Sequence, residues 1–473
     1  MSDHEHSLFH KLNSYAQSDY YPFHMPGHKR QQFLLPSFDA DHRHFSPEQI
    51  DITEISGFDD LHHPIGILKE AQERTAKVFG AHKSYYLVNG STAGILAAVF
   101  ACTKKGDHIL MARNCHKSVY HAAFLNELSI EYIHPAVTDP GIAEGISPEA
   151  VSQKLSQIPQ VSAIVITSPT YDGIVSDIRA IADIAHAHRI PLIVDEAHGA
   201  HFGFSDAFPK KALAYGADIV IESLHKTLPA FTQSAVLHLA DSPYVDESVI
   251  KYYLSVFQTS SPSYLLMAGI DRCTQILQTD GQRLFSDFKK KLAAFYEKAA
   301  QLKHISVLYA KEHLEALQAN TCTQKDPSKI IISADAADLS GGALFTLLRD
   351  QYHLEMEMAS LHYVTALTTI MDTDEGFQRL IRALEEIDRM APAAVSDSSD
   401  SGFSEHTPVT SVADNYQIGS RPLSESVGSV CDEFIIPYPP GIPILVPGEI
   451  IQEDHIKTIL SYLGQNIPVY GIE

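Results

Sequence analysis

Short apolar segments alternate with stretches of helical periodicity between residues 85 and 240. This alternation restricts the folds open to the chain more than any other feature. Runs with strand character, several of them rich in β-branched residues, lie at 85–88, 107–112, 161–167, 190–194 and 219–221. Strands that alternate with helices form parallel units in one sheet, with helices packed on both faces. The sequence therefore predicts an α/β large domain with a mainly parallel sheet.

The chain has 473 residues, which is more than a single hydrophobic core normally supports. Beyond residue 239 we predict helices at 252–276, interrupted at 258–263, and at 285–302. Isolated strands and further helices then predict a smaller α+β domain. We therefore divide the chain into three parts, namely an N-terminal arm at 1–60, a large domain at 61–285 and a C-terminal α+β domain at 286–473.

Two segments of the C-terminal part have unusual compositions. Residues 392–412 are rich in Ser, Asp and Pro, which predicts a flexible insert. Residues 433–447 combine prolines with apolar residues, which predicts an ordered, packed loop.

Polar residues stand where two neighbouring apolar runs end. Asp195 follows the run at 190–194, and Lys226 follows the run at 219–221 after a few residues. A lone lysine is usually a solvated surface charge, but the carboxyl ends of strands are where α/β sheets place their chemistry. An aspartate and a lysine in these positions are what pyridoxal phosphate needs, because lysine forms a Schiff base and aspartate keeps the ring nitrogen protonated.

Other strand ends carry groups suited to the same cofactor. Ser91 and Thr92 follow an Asn-Gly turn at the start of a predicted helix, where backbone amides and hydroxyls bind anions such as phosphate. The alternative is that one of them only caps the helix. His116 also follows a strand, and its ring is placed either to stack on a cofactor or to serve the structure.

Composition narrows the classes of function. The formal net charge of −23 argues against binding to nucleic acid or to an anionic membrane surface. No apolar run reaches the length of a membrane span, and the first residues lack a signal pattern. Five scattered cysteines suggest neither a disulfide framework nor a zinc site. We expect a cytoplasmic protein.

Five motifs, taken in order, resemble the Orn/Lys/Arg decarboxylase family. They are His-Met-Pro-Gly-His at 24–28, Arg-Asn-Cys-His-Lys-Ser at 113–118, Asp-Glu-Ala-His-Gly-Ala-His at 195–201, Ser-Leu-His-Lys at 223–226 and Tyr-Pro-Pro-Gly-Ile-Pro with Pro-Gly-Glu at 438–449. The resemblance implies a pyridoxal-phosphate enzyme of fold type I with an aspartate-aminotransferase-like large domain. It also implies a homodimer or higher homo-oligomer. Because no wing domain fits before His24, we expect the short branch of the family and not the decamer built through that wing.

The resemblance also implies roles for individual residues. Lys226 would hold the cofactor and Asp195 would pair with its ring nitrogen, while His116 would stack on one ring face and the small Ala197 would allow close approach on the other. The phosphate would be bound by Ser91, Thr92, Ser223 and His225. His198 would act near the cofactor; a metal site formed by His198 and His201 is a competing interpretation that we do not favour, so we predict no metal.

The implied reaction is decarboxylation of a basic amino acid, with arginine to agmatine preferred and lysine or ornithine as alternatives. An aminotransferase, a lyase or a non-catalytic regulator of the same fold also remain open. Arg379 and Arg382 are candidates for a carboxylate clamp, although a solvated helix face explains them better. The distal cation of the substrate needs an acidic partner, for which the candidates are Asp59, Asp60, Glu355, Glu357 and Glu449.

We further expect the active site to lie at a dimer interface, where the neighbouring subunit closes it. The polar turns at 23–29 and 258–263 are the segments predicted to reach the neighbour's site.

Overall fold

The computed structural model describes residues 19–23, 27, 29, 52–55, 57–158, 160–390, 416–419 and 421–472. The predicted flexible insert at 392–412 and most of the predicted N-terminal arm lie outside these residues.

The strands of the described residues are numbered in chain order: β1 (Tyr21–Phe23), β2 (Lys83–Leu87), β3 (His108–Ala112), β4 (Ser129–Ile133), β5 (Val137–Thr138), β6 (Ile142–Ala143), β7 (Val161–Thr167), β8 (Leu192–Asp195), β9 (Ile219–Glu222), β10 (Ala235–Leu239), β11 (Ser306–Val307), β12 (Lys329–Ser333), β13 (Leu354–Met356), β14 (Met358–Ala359), β15 (Tyr363–Leu367), β16 (Gln417–Ile418), β17 (Arg421–Pro422), β18 (Ile436–Pro437) and β19 (Val469–Tyr470).

The α-helices are numbered in the same way: α1 (Ile67–Phe79), α2 (Gly90–Cys102), α3 (Lys117–Leu125), α4 (Pro148–Gln157), α5 (Ile178–Ala187), α6 (Leu224–Thr227), α7 (Glu247–Phe257), α8 (Tyr264–Ala299), α9 (Ala310–Ala319), α10 (Gly341–Tyr352), α11 (Asp374–Met390) and α12 (Glu453–Gly464).

The large domain is built on a seven-stranded sheet in the order β2-β10-β9-β8-β7-β3-β4. Strand β10 runs antiparallel to both of its neighbours. The pairs among β3, β4, β7, β8 and β9 are parallel. Every residue of β8 and β9 is buried, as expected for strands covered by helices on both faces. The predicted mainly parallel sheet is confirmed.

The helix that leaves the large domain is longer than the sequence predicted. The expected interruption at 258–263 is present, between α7 and α8. The predicted helices on either side of residue 280, however, form one helix of 36 residues. No proline interrupts this stretch, and Gly281 is accommodated within it, since a lone glycine lowers helix stability by only about 1 kcal/mol. The predicted domain boundary at 285 falls inside α8, and the division into domains stays a prediction.

The smaller sheet has the order β11-β12-β15-β14 and its pairs are antiparallel. Strand β1 pairs in parallel with β13, so the N-terminal residues lie against this part of the chain. Residues 416–472 have an apolar core of their own, centred on Ile435, Leu445 and Ile459.

The proline-rich loop is ordered and packed, as the sequence predicted. The amide of Ile435 donates to the carbonyl of Leu445 at 3.0 Å, and the amide of Gly441 donates to that of Pro437 at 3.0 Å. Among the helices that the structure describes, none is long and apolar enough to cross a membrane.

Candidate active site

Asp195 and Lys226 lie at the same edge of the large sheet. Asp195 is the last residue of β8, and Lys226 lies in the one-turn helix α6 that follows β9. Strands β8 and β9 are parallel neighbours, with Asp195 in register with Ile221. The predicted pairing of a strand-end aspartate with a strand-end lysine therefore has its basis in adjacent parallel strands.

Asp195 is buried, with only 4% of the residue exposed. It accepts a hydrogen bond from the amide of Ala197 at 3.1 Å. Burial raises its pKa, and the charge of Lys226 and the amide of Ala197 oppose that rise. A carboxylate in such a site is stabilised by a cationic partner, and a protonated ring nitrogen is one.

The amine of Lys226 contacts a histidine. Its Nζ lies 2.9 Å from Nε2 of His198. Burial lowers the pKa of Lys226, while the charges of Asp195 and Glu357 oppose this. His198 is buried, and burial together with neighbouring lysines holds its pKa well below the usual range. The imidazole of His198 is therefore neutral.

The start of α2 is the candidate anion site. The N-cap residue is Asn89, and its side chain makes no capping hydrogen bond; its Oδ1 accepts from the amide of Thr259 instead. Ser91 and Thr92 are in the first helical turn, so the alternative that either is merely the N-cap is wrong. Gly90 begins the helix with φ +73°, a conformation that glycine adopts at little cost.

Two further predicted phosphate ligands lie beside Lys226. The hydroxyl of Ser223 is buried and has no hydrogen-bond partner within the described part of the chain. His225 uses Nδ1 to contact the carbonyl of Ser234 at 2.9 Å, which makes Nδ1 the donor. Burial lowers the pKa of His225 to about 4. An anion bound at Nε2 would raise that pKa, because it stabilises the imidazolium.

His116 is both a helix cap and a half-buried ring near the site. Its Nδ1 accepts from the amide of Ser118 at 3.2 Å and from the hydroxyl of Ser118 at 2.9 Å, so Nε2 carries the proton. Burial, reinforced by Lys226, lowers its pKa to about 3, and the ring is neutral. The backbone of Gly441 lies so close that a methyl group there would approach the ring to 3.1 Å.

The competing metal interpretation is not supported by these contacts. Both ring nitrogens of His198 face lysine amines. Nε2 of His201 faces the carboxylate of Asp326 at 3.2 Å. Across the described ranges, no group of three or more His, Cys, Asp or Glu side chains is arranged to hold a metal ion.

The candidate clamp residues face elsewhere. Arg379 donates to the backbone carbonyls of Asp19 and His353, at 2.8 and 3.1 Å. Arg382 is exposed and donates to the carbonyl of Gln378 in its own helix. The interpretation of this helix face as solvated holds for Arg382, while Arg379 anchors the N-terminal residues.

The candidate acids for the distal cation differ in their surroundings. Asp59 accepts from the amides of Gly66 and Leu68 at the start of α1, at 2.7 and 2.9 Å. Glu449 pairs with Arg113 at 3.0 Å. Both carboxylates are thus already engaged within the chain. Glu357 is buried and accepts from the hydroxyl of Tyr171, and its charge acts on Lys226.

Gly27, in the turn at 23–29, contacts residues of its own chain, whereas the sequence predicted that this turn would reach a neighbour's site. The amide of Gly27 donates to the carbonyl of His225, and the hydroxyl of Thr369 donates to the carbonyl of Gly27 at 2.8 Å. A methyl group on Gly27 would come within 2.6 Å of the carbonyl oxygen of Leu228. Gly27 therefore packs on the Lys226 helix of its own chain, and the expected contact of this turn with a neighbour's site stays a prediction. The side chains of His24 and His28 lie outside the described residues.

The loop at 258–263 borders the anion site. Oε1 of Gln258 accepts from the amide of Val88 at 2.9 Å, and Thr259 contacts Asn89. Its predicted contact with a second subunit stays a prediction.

Sequence reasoning missed Lys329. Its Nζ lies 2.8 Å from Nδ1 of His198, and the residue is 1% exposed. It is the first residue of strand β12. A lysine that begins an otherwise apolar strand, directly after Asp326-Pro-Ser328, was the available signal.

The architecture matches that of known enzymes. The solved structure of the lysine decarboxylase LdcF from Francisella novicida aligns with a TM-score of 0.68 at 19% identity, covering 96% of this chain and 76% of that one. Together with the strand-end aspartate and lysine, this fold places the chain in the aspartate-aminotransferase-like class, fold type I of the pyridoxal-phosphate enzymes.

The sequence comparisons are more specific. The family description "Orn/Lys/Arg decarboxylase, major domain" matches residues 6–343, and the description of that family's C-terminal domain matches residues 408–467. An arginine decarboxylase of Bacillus subtilis is 33% identical over all of this chain and 96% of its own length. The inducible lysine decarboxylase of Escherichia coli strain K12 is 23% identical, covering 96% of this chain and 76% of its own length. The chain belongs to the Orn/Lys/Arg decarboxylase family and is a pyridoxal-phosphate-dependent amino-acid decarboxylase.

Proposed function

We propose that this chain converts arginine to agmatine and carbon dioxide, using pyridoxal phosphate held at Lys226. The observation that carries the proposal is the pair of Asp195 and Lys226 at the same ends of adjacent parallel strands, beside an uncapped helix start. The preference for arginine is supported by the 33% identity to a protein named arginine decarboxylase, against 23% for one named lysine decarboxylase.

The residues present fit the cofactor. Ser223 offers a buried hydroxyl with no partner among the described residues, and a phosphate oxygen would supply one. The first turn of α2 offers free amides with Ser91 and Thr92. Asp195 offers a buried carboxylate for the ring nitrogen, and His116 a neutral ring for one face. Ala197, which is buried, leaves room on the other face.

Pyridoxal phosphate, when bound, supplies an electron sink for the bond that breaks at the α-carbon. The chain's own residues then have three tasks. Lys226 must be an uncharged amine to form the covalent link, because an ammonium has no lone pair. Asp195 must hold a proton on the ring nitrogen. His116 must fix the ring plane, and its cap on α3 holds its orientation.

The surroundings favour loss of the α-carboxylate over its retention. A strong ion pair with the ground-state carboxylate would lower the reactant's energy and slow decarboxylation. Arg379 and Arg382 both bind backbone carbonyls, and Arg113 is engaged by Glu449. None of these three arginines is available as a clamp, which supports a decarboxylase over an aminotransferase.

A homodimer is part of the proposal. Ile65 and Ile67 are 86% and 52% exposed, at the beginning of α1. We propose that these two side chains form part of the surface through which two chains associate. The neighbouring loop at 258–263 contacts the anion site, so a partner there would border the cofactor. Light scattering on the purified protein tests this part.

The test of the proposed reaction is a parallel assay of arginine, lysine and ornithine with the cofactor-loaded protein. We expect carbon dioxide and agmatine from arginine, with kcat/KM at least tenfold above the values for lysine and ornithine. Cadaverine or putrescine as the main product would transfer the proposal to lysine or ornithine. Conversion of the substrate's amino group to a ketone without release of carbon dioxide would contradict the proposed decarboxylase activity.

A further inference from the structure

The imidazole of His198 lies between two lysines from distant parts of the chain. Lys226 Nζ is 2.9 Å from Nε2, and Lys329 Nζ is 2.8 Å from Nδ1. His198 and Lys329 are 5% and 1% exposed. The ring of Tyr171 lies beside both, at 4.5 Å between ring centroids from His198 and 5.5 Å from the Lys329 amine.

The number of donors restricts the charges on these three groups. A neutral imidazole has one N–H donor and one acceptor nitrogen, and an ammonium group only donates. Two ammonium groups cannot both donate to one neutral imidazole. An imidazolium can accept from neither. With both contacts made as hydrogen bonds to a neutral ring, one lysine is a neutral amine that accepts the ring N–H, and the other lysine donates to the acceptor nitrogen.

The electrostatics agree with one shared proton. Burial, then Lys226, then Lys329 hold the pKa of His198 well below its usual range, so the ring is neutral. Burial lowers the pKa of Lys329 to about 8. Burial likewise lowers the pKa of Lys226. The other charged or titratable groups that act on the three are Asp172, Asp195, Asp326, Glu357, His116 and His225.

We infer that Lys329 is the proton acceptor for Lys226, reached through the two nitrogens of His198. In the transfer, an N–H bond of the Lys226 ammonium breaks as an N–H bond forms at Nε2 of His198. The N–H bond at Nδ1 breaks as one forms on the Lys329 amine. One proton moves, no electron is transferred, and His198 changes tautomer without changing charge.

This role goes beyond the cofactor site and rests on the proposed function only in assigning Lys226 as the cofactor-binding amine. That lysine must lose a proton before it can bond to an aldehyde, and its amine lies against the buried ring of His198. The buried amine of Lys329 accepts this proton, and the ring of His198 connects the two lysines. Lys329 is thus a positioning residue that acts through His198.

The simpler alternative is that Lys329 acts only through its charge. A nearby cation lowers the pKa of Lys226 whether or not His198 connects them. The two roles differ in their dependence on His198, so the experiment combines variants at both positions.

The measurement uses the cofactor-free protein. Competitive acetylation with isotopically labelled acetic anhydride at a series of pH values, read by peptide mass spectrometry, gives the titration curve of Lys226. A second readout is the initial rate at which pyridoxal phosphate becomes fixed to Lys226 by borohydride. The variants are Lys329→Met, Lys329→Arg and His198→Asn, with Lys325→Met as control, because Lys325 pairs with Glu312 at 2.8 Å and leaves His198 untouched.

We expect Lys329→Met to move the Lys226 curve to higher pH by about one unit, which makes fixation near neutral pH about tenfold slower. In the His198→Asn background, the same change should lose most of its effect. An undiminished shift in that background would mean that Lys329 acts on Lys226 through its charge alone. It would overturn proton transfer through His198. An unshifted curve in Lys329→Met would overturn any coupling.

Lys329→Arg covers the case in which methionine prevents folding, as judged by circular dichroism. Arginine donates to Nδ1 but does not accept a proton, so Nε2 must donate and Lys226 must stay a neutral amine. Proton transfer through His198 therefore predicts that the titration curve of Lys226 lies at lower pH than in the unchanged protein. A curve identical to that of the unchanged protein below pH 8 contradicts it. Because no amino acid is present, these outcomes are independent of whether arginine is the substrate.

Discussion

The guanidinium of Arg113 lies 3.0 Å from the carboxylate of Glu449 and ties the end of β3 to the C-terminal residues 416–472. The same guanidinium donates to the carbonyls of Pro443 and Ile444, at 2.8 and 3.1 Å. Three residues beyond Arg113, the ring of His116 touches the backbone of Gly441. Arg113 therefore helps to hold the proline-rich loop over His116.

Replacing Glu449 with glutamine should release part of this attachment. Loss of a partly buried, charge-assisted hydrogen bond costs about 1–3 kcal/mol in the free energy of unfolding. Denaturant titration measures it. The control is Glu131→Gln, which removes an exposed pair with Lys154 at 3.7 Å and should cost less than about 1 kcal/mol. Equal effects of the two substitutions would argue against a holding role for Glu449.

Lys226→Ala should abolish covalent attachment of the cofactor. After borohydride reduction, mass spectrometry of the unchanged protein should place the adduct on Lys226, and the variant should carry none. Lys325→Ala should keep the adduct at full yield. An adduct on another lysine in the unchanged protein would show that the attachment site has been wrongly assigned.

Asp195→Asn should lower kcat by orders of magnitude while part of the cofactor is retained. The amide cannot hold a proton on the ring nitrogen electrostatically, but the phosphate contacts are unaffected. Steady-state kinetics and cofactor absorbance measure the two quantities. Asp177→Asn, which keeps an acceptor at the cap of α5, is the matched control and should be near normal. Comparable turnover in the two variants would remove Asp195 from its role.

Ser223→Ala should change stability and affinity in opposite directions. The buried hydroxyl has no partner among the described residues, so its removal should leave the cofactor-free protein equally stable or more stable by about 1 kcal/mol. Cofactor affinity should fall about tenfold, because one phosphate contact is lost. Thr365→Val, which removes another buried hydroxyl without a described partner, should leave affinity unchanged. Unchanged affinity in Ser223→Ala would exclude it as a phosphate ligand.

Glu196→Gln should alter the pH dependence of stability. Burial, reinforced by Glu222, raises the pKa of Glu196 well above 4.5, its value in the unfolded chain. The folded state then binds the proton more tightly, so the folded protein loses stability as pH rises above 4.5 and up through the folded pKa. The variant should lack this loss, which has a maximal slope of about 1.4 kcal/mol per pH unit.

Glu222→Gln gives the opposite sign and serves as the comparison. Lys211 and His238 lower the pKa of Glu222 below 4.5, so its contribution is present above pH 4.5 and disappears as pH falls through the folded pKa. Denaturant titrations between pH 4 and 9 distinguish the two. If the free energy of unfolding depends on pH in the same way for Glu196→Gln and for the unchanged protein, the raised pKa of Glu196 is contradicted.

Local patterns were sufficient for the centre of the site. The order of apolar runs predicted the parallel sheet, and a polar residue at the end of a run predicted Asp195 and Lys226. The positions of these strands and of the residues that follow them are determined by neighbours along the chain. The sequence left open whether Ser91 or Thr92 is only the N-cap, and the structure places the N-cap at Asn89, two residues before Ser91.

Contacts between distant residues could not be predicted in this way. The Lys329–His198 contact joins residues 131 positions apart, and the Arg113–Glu449 contact joins residues 336 apart. No periodicity specifies which lysine reaches a given histidine once two domains pack. The same holds for Gly27, whose place on the Lys226 helix follows from tertiary packing.

The pairing of Tyr21–Phe23 with Leu354–Met356 has a consequence for synthesis of the protein. The first of these strands leaves the ribosome about 330 residues before the second, which is an interval of about 20–70 s at common elongation rates. Throughout that time the large sheet can form, but Gly27 lacks the threonine at position 369 that anchors it. The contact between Gly27 and Thr369 is therefore made only after residue 369 has been synthesised, and a fusion at the N-terminus must leave this segment free to dock late.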